Sequence, residues 1–280
     1  MSGIQLMEST NHLSYHNSTF HYTIYGDGAE VLIAFHGFSE SGKSFAPLKS
    51  SLSKRYTMYA FDLPFHGETK WNEPRPFTTS DLEKIISQFT KQHTIEKFAV
   101  LGFSMGGKCA LHLTQVMPEK IDALWLLASD GIKTNKIYNV AVYPKWGREL
   151  FRTTINHPGW FFTVVNTATT LKLLTPWLKK FTYNHMDTRE KRTRLYNTWI
   201  SMAAFNPDIQ LVKQKINTYQ IPVRLFFGNR DEVIPVSVGA YFAEGLDNCE
   251  LIQLERGHYF IDEKINPFLD AVLSELPENK

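Results

Sequence analysis

The segment Gly102-Phe103-Ser104-Met105-Gly106-Gly107 sets a hydroxyl between two glycines, at the junction of the apolar run Ala99-Val100-Leu101 and a helical pattern. A chain that reverses sharply from strand to helix strains the backbone of the residue at its tip. The residues two before and two after that tip approach so closely that only small ones fit. Gly102 and Gly106 meet this demand, and the helix start aims backbone N–H groups and a positive dipole end at Ser104. Such a serine is a nucleophile when a base can take its proton. His258 is the histidine best placed to do so. It follows the last strand-like run, 154 residues after Ser104, and an imidazole there can accept the serine proton and later hand it to a leaving group. A carboxylate must in turn orient the imidazole. Asp231, its neighbour Glu232, and Asp130 are the acids at the ends of strand-like runs.

Other chemistries find little footing. There is no His-Glu-x-x-His, no paired Cys-x-x-Cys and no Gly-x-Gly-x-x-Gly, so neither metal nor other cofactor is expected. Residues 102–108 match the Gly-x-x-x-x-Gly-Lys part of a phosphate loop. Cys109 stands where the magnesium-binding Ser or Thr should be, and the same glycines serve the turn at Ser104.

These residues need a scaffold, and strand-like runs that alternate with helical patterns supply one. Residues 13–16 and 19–25 flank Asn17-Ser18, a candidate hairpin turn. Runs at 31–35, 57–61, 98–101, 123–127, 223–227 and 250–254 are apolar enough for strands buried on both faces, as in a largely parallel sheet. Helices are expected at 41–53, from an N-cap signal near Thr78 to about Lys91, at 105–116 ahead of Pro118, and at 265–276. The alternation lapses between β-like runs at about 131–208. This aromatic-rich stretch, broken by Pro144, Pro158 and Pro176, reads as an inserted set of short helices, with 1–130 and 209–280 forming the sheet-bearing core.

The 280 residues are 43% hydrophobic and 21% charged, and no stretch approaches the roughly 20 apolar residues that span a bilayer. The opening Met1-Ser-Gly-Ile-Gln-Leu does not read as a signal peptide, and the two cysteines, Cys109 and Cys249, are too few for a disulfide framework, so a cytoplasmic location is expected. The net charge of +2 hides an asymmetry: residues 131–215 carry 14 Lys and Arg against 4 Asp and Glu, whereas the rest carries 16 against 24. Solvated helix faces account for this, or a basic surface that attracts an anionic substrate or membrane. Trp160-Phe161-Phe162-Thr163-Val164-Val165, then Leu171, Leu173, Leu174, Trp177 and Leu178, interleaved with Lys172, Lys179 and Lys180, share features with an interfacial helix, so peripheral membrane contact is one expectation. No nucleic-acid motif accompanies the charge, and no nucleic-acid partner is expected.

Taken together, the chain resembles the α/β-hydrolase superfamily, of the type with a helical cap after the sixth strand, over nearly its whole length. The order Ser104, Asp231, His258 is that family's order. Gly228-Asn229-Arg230-Asp231-Glu232-Val233-Ile234-Pro235 resembles its strand-end acid motif, which favours Asp231 over Glu232 and Asp130. Carried over, the fold is a mostly parallel eight-stranded sheet flanked by helices, with 131–208 as the cap. His36-Gly37-Phe38 resembles the family's oxyanion loop, which implies that the backbone N–H groups of Phe38 and Met105 form the oxyanion hole and that His36 is structural. Asp62-Leu63-Pro64-Phe65-His66-Gly67 resembles an Asp-x-Pro-Gly-His-Gly turn in which Phe65 replaces glycine, a change expected to alter the backbone of the turn. The resemblance implies a serine hydrolase of carboxylic esters, thioesters or lipid-like acyl esters, with a small acyl or aromatic ester as partner. A carbon–carbon bond hydrolase and a non-catalytic ligand-binding member are the alternatives. Relatives that use an aspartate at the turn, the epoxide hydrolases and haloalkane dehalogenases, are disfavoured by Ser104.

Overall fold

The structure, a computed structural model, describes residues 9–133, 136–174 and 176–275; Leu276 and the side chains of Trp177 and Leu178 lie outside the described residues. In chain order the elements are β1 (Ser9–Tyr15), β2 (Ser18–Tyr25), β3 (Glu30–Phe35), α1 (Lys49–Leu52), β4 (Tyr56–Phe61), α2 (Thr79–Gln92), β5 (Phe98–Phe103), α3 (Gly106–Val116) and β6 (Ile121–Leu127). Five helices follow: α4 (Lys136–Val142), α5 (Lys145–Asn156), α6 (Gly159–Thr170), α7 (Pro176–Met186) and α8 (Arg189–Met202). The chain then forms α9 (Ile209–Tyr219), β7 (Val223–Gly228), α10 (Val236–Ala243), β8 (Cys249–Leu254) and α11 (Asn266–Glu275).

The eight strands form one sheet in the order β1-β2-β4-β3-β5-β6-β7-β8. The β1–β2 and β2–β4 pairs are antiparallel and the remaining pairs parallel. The expected mostly parallel, eight-stranded α/β sheet is therefore what the chain forms. β5 and β7 are buried at every position, as apolar strands covered on both faces must be. The core between sheet and helices is aromatic at its centre, where Trp125 stacks on Phe226 at 6.1 Å. The chain runs from β3 outward to β4, then returns to β5 on the other side of β3. The strand order reverses there, and such a switch point opens a crevice at the carboxyl ends of the strands.

Local departures have local causes. The hairpin turn is His16-Asn17 rather than Asn17-Ser18, because Tyr15 pairs with Ser18 and His16 takes the positive φ. The stretch expected as a helix at 41–53 is a 3₁₀ segment, Gly42–Leu48, that passes into the short α1, since Pro47 lacks the N–H that an α-helical ladder needs. The last helix starts at Asn266, after the 3₁₀ turn Glu263–Ile265. Phe65 adopts φ +69°, the left-handed conformation that a glycine would take without steric cost.

The chain divides into two compact units, one of residues up to 74, 79–133 and 205 onward, the other of 75–78 and 134–204. Within the second unit, Phe151 of α5 packs edge-on against Tyr196 and Trp199 of α8. The buried guanidinium of Arg192 donates to the carbonyls of Ile155, Met186 and Asp187 at 3.1, 2.7 and 3.1 Å. It thereby serves acceptors at the C-terminal ends of α5 and α7, where a cation also meets the negative end of each helix dipole.

The C-terminus of α2 is closed by Ile95 N–H donating to Thr90 O at 2.8 Å, which places Thr94 at φ +55°. A β-branched residue is strained there, and Thr94 is exposed, so its side chain offers little in return. Thr94→Gly is expected to stabilise the protein by about 1 kcal/mol, read as a higher urea midpoint with an unchanged slope.

Candidate active site

Ser104 lies between β5 and α3 at φ +47°. Its N–H donates to Leu127 O of β6 at 3.0 Å, and its carbonyl accepts from Gly107 N–H and Asp130 N–H, each at 2.9 Å. The surroundings leave no room for larger neighbours. A Cβ on Gly102 would lie 2.6 Å from Gly107 Cα, one on Gly106 2.0 Å from Phe35 O, and one on Gly107 1.9 Å from Ser129 Oγ. The sequence pattern pointed to the first two glycines. Gly107 is a third, required by the end of β6 rather than by the turn itself. Cys109 shares the first turn of α3 and is no rival to the serine, because full burial pushes its thiol far above the ordinary range.

The other two candidates meet Ser104 in one relay. His258 Nε2 is 3.0 Å from Ser104 Oγ, and His258 Nδ1 is 2.7 Å from Asp231 Oδ2. The Asp231 side chain is fully buried, and its Oδ1 accepts from Val233 N–H at 2.7 Å and Ile234 N–H at 2.9 Å, so each carboxylate oxygen has its own partners. Parallel pairing of β7 and β8 brings acid and imidazole together, with Gly228 opposite Leu254. Beyond the strands, Asn229 N–H donates to Leu254 O at 2.9 Å and Arg230 N–H to Arg256 O at 3.0 Å, which ties the two loops at the level of the site. The ring of Phe103 lies 5.5 Å from that of His258 and limits its rotation.

The alternative acids are placed elsewhere. Glu232 is exposed. Asp130 accepts from Gly131 N–H at 2.7 Å and lies 3.7 Å from the buried Lys108 Nζ. That pairing also accounts for the lysine of the phosphate-loop resemblance.

Phe38 follows the end of β3 and Met105 follows Ser104 at the start of α3. β3 and β5 are direct neighbours, with Phe35 opposite Gly102, so both backbone segments leave the sheet side by side. His36 is fully buried as a brace. Its Nδ1–H donates to Gly37 O at 2.7 Å and its Nε2 accepts from Leu63 N–H at 2.9 Å, which requires the neutral ring. Burial lowers its pKa to about 4 in keeping with that state. Asp62 likewise braces, accepting from Gly42 N–H at 2.7 Å and Glu68 N–H at 2.8 Å. The Phe38 ring stands edge-on to His66 at 5.4 Å.

Glu40 was not singled out by the sequence, although an acid three residues beyond His36-Gly37 in an otherwise uncharged turn is a visible signal. Its N–H returns to Gly37 O at 3.3 Å, closing a turn with Phe38 and Ser39 at its centre, and its Oε2 accepts from Gly37 N–H at 3.1 Å. Burial pushes its pKa up to about 7, opposed by the Gly37 N–H and by His258. The folded protein thus binds this proton more tightly than the unfolded chain does. The stabilisation is complete below the ordinary carboxylate range and is lost as pH rises through about 7. Glu40→Gln keeps an acceptor for Gly37 N–H and removes the charge. The variant is expected to match wild type in urea unfolding at pH 4 and to be more stable by about 1–3 kcal/mol at pH 8; equal stability at both pH values would contradict this account.

Comparison with known proteins agrees with the fold. The sequence profile of the alpha/beta hydrolase fold matches residues 30–265. An uncharacterized hydrolase of Bacillus subtilis strain 168, YugF, is 21% identical over 242 residues, 85% of this chain and 86% of that protein. A pimeloyl-acyl-carrier-protein methyl ester esterase of Stenotrophomonas maltophilia is 29% identical over 135 residues, 46% of this chain and 49% of the esterase. The crystal structure of MGS-M2, an alpha/beta hydrolase enzyme from a Medee basin deep-sea metagenome library, superposes with a TM-score of 0.70 at 16% identity, covering 96% of this chain and 99% of that one. With the profile spanning most of its length, the chain belongs to the alpha/beta hydrolase fold family.

Proposed function

We propose that this hydrolase cleaves carboxylic esters through an acyl-enzyme on Ser104, with His258 as general base and Asp231 as the acid that orients it. The observation that carries the reading is the unbroken relay from Ser104 Oγ to His258 Nε2 and from His258 Nδ1 to Asp231. Ser104 Oγ attacks the ester carbonyl carbon while its proton passes to His258 Nε2. The carbonyl oxygen becomes an oxyanion, received by the backbone N–H groups of Phe38 and Met105. Asp231 keeps the imidazole proton on Nδ1 and stabilises the imidazolium. As the tetrahedral intermediate collapses, the C–O bond to the alcohol breaks and His258 protonates the departing oxygen. A water then attacks the acyl carbon, gives a proton to His258, and releases the acid and a restored serine hydroxyl.

Residues 131–208 are read as the family's inserted cap, whose many aromatic side chains suit an acyl or aromatic ester. The partial likeness to a methyl ester esterase agrees with an ester substrate. Thioesters remain within reach of the same chemistry.

Hydrolysis of p-nitrophenyl esters of increasing acyl length tests the reading. Turnover should peak at one chain length, fall about 10⁴-fold or more in Ser104→Ala, and fall about 10²- to 10⁴-fold in Asp231→Asn. Rates that are uniformly weak and unchanged in Ser104→Ala would remove the esterase reading. Activity on a dienone but not on simple esters would point to carbon–carbon cleavage, and tight binding without turnover to a ligand-binding member.

A further inference from the structure

Apolar surface in this protein is unevenly spread. Among the described residues, ten of the fourteen large hydrophobic side chains left exposed fall between residues 137 and 183. Proteins of this size scatter single apolar residues over their surfaces without consequence, whereas a concentration of them marks a surface that meets something.

The pattern is sharpest on α6. Trp160, Val164 and Leu171 are 39%, 56% and 62% exposed, and their spacing of four and seven residues puts them in one stripe along the helix and its C-terminal turn. Leu173, at 73%, extends it. The opposite side of the same helix carries the buried Val165 and the half-buried Phe161 and Phe162. A helix that merely covers a core turns polar residues outward. Here Trp160, Val164 and Leu171 stand outward beside the exposed Thr163, Asn166, Thr167 and Thr170, and burial within its own unit explains only the apolar residues of the other face.

The charges carried along this stretch are of one sign. Residues 153–186 include no Asp or Glu, while Lys172, Lys179 and Lys180 are exposed; Arg152, just before it, is paired with Glu149 at 2.7 Å. Lys172 lies between Leu171 and Leu173. An indole ring, aliphatic side chains and long lysines, with no carboxylate among them, match the boundary of an anionic bilayer. Trp favours the headgroup level, Leu and Val enter the upper acyl region, and lysines reach back to the phosphates. No described helix is long and apolar enough to cross a membrane, so contact of this kind would be peripheral.

We propose that the stripe Trp160, Val164, Leu171 and Leu173, with Lys172, Lys179 and Lys180, docks this protein on the surface of an anionic lipid bilayer. The contact needs neither the ester reading nor Ser104. It would place the hydrolase where substrates partly embedded in lipid are concentrated.

The test is co-sedimentation of the full chain with vesicles of phosphatidylcholine alone and with phosphatidylcholine and phosphatidylglycerol mixed at about two to one. Wild type should partition at least about tenfold more onto the anionic vesicles, with the difference shrinking as salt rises. Trp160→Ser, Val164→Thr, Leu171→Ser and Leu173→Ser combined should lower that partition at least about tenfold. Lys172→Glu, Lys179→Glu and Lys180→Glu combined should abolish the preference for anionic lipid. Every position changed in these two variants is exposed, so each variant should keep the wild-type unfolding transition. That measurement stands whether or not the protein hydrolyses esters. Equal partition onto both vesicle types by the wild type, or anionic binding that survives both variants, would overturn the proposal. So would a dimer in sedimentation that the apolar variant dissolves while no vesicle binding is seen, since the stripe would then serve a second copy of the chain.

Discussion

The backbone of Ser104 is the constraint around which the first unit is built. An L-residue at φ +47° is strained by about 1–2 kcal/mol relative to an ordinary conformation, and the strain persists because its surroundings allow no alternative. Leu127 and Asp130 fix the serine peptide from the β6 side, while Gly106 lies against the carbonyl of Phe35 from the β3 side. The turn is therefore clamped between two strands that are not its own. Removing the strain would require moving β3 or β6, and both are fully engaged in the centre of the sheet.

The same logic governs the residues facing the serine. None of the three groups in the relay depends on a long flexible side chain to reach its partner. Each stands at the carboxyl end of a parallel strand, and strand register sets their spacing. The loops after β7 and β8 are cross-linked by backbone hydrogen bonds before they diverge, so Asp231 and His258 keep one relative position even though they are 27 residues apart. Around this frame two buried titratable groups pull in opposite directions. His36 is driven toward its neutral form and Glu40 toward its protonated form, both by burial, and both brace the loop that carries Phe38. Charge on either costs folding energy, at acid pH for the histidine and at alkaline pH for the glutamate.

Much of this was legible from residue types alone. Continuous apolar runs such as 98–103 and 223–228 announce doubly covered strands, and glycines at fixed offsets from a serine announce a sharp turn, because in both cases the physical demand acts on neighbouring residues. What escaped depends on partners distant in the chain or on local geometry. Gly107 is required by Ser129, beyond the end of another strand. Pro47 redirects a helical pattern into a 3₁₀ segment, an effect of one missing donor that periodicity does not display. Phe65 adopts a conformation its type disfavours, held there by the bracing of Asp62 and His66 around it. Glu40 was visible as a residue but not as a brace, since its acceptor role emerges only once the turn closes on Gly37.

One consequence lies in the strand order. β6 is flanked by β5 and β7, the strands that deliver Ser104 and Asp231, yet its own carboxyl end leads into the helices α4 to α8 and contributes only backbone support to the serine. The chain thus separates what must stay fixed from what is free to vary. A lineage or a designer could splice a different set of helices between the end of β6 and the start of α9 while the register of β5, β7 and β8 went on setting the relay. That insert would then evolve as an exchangeable module, on a clock independent of the strands that set the relay.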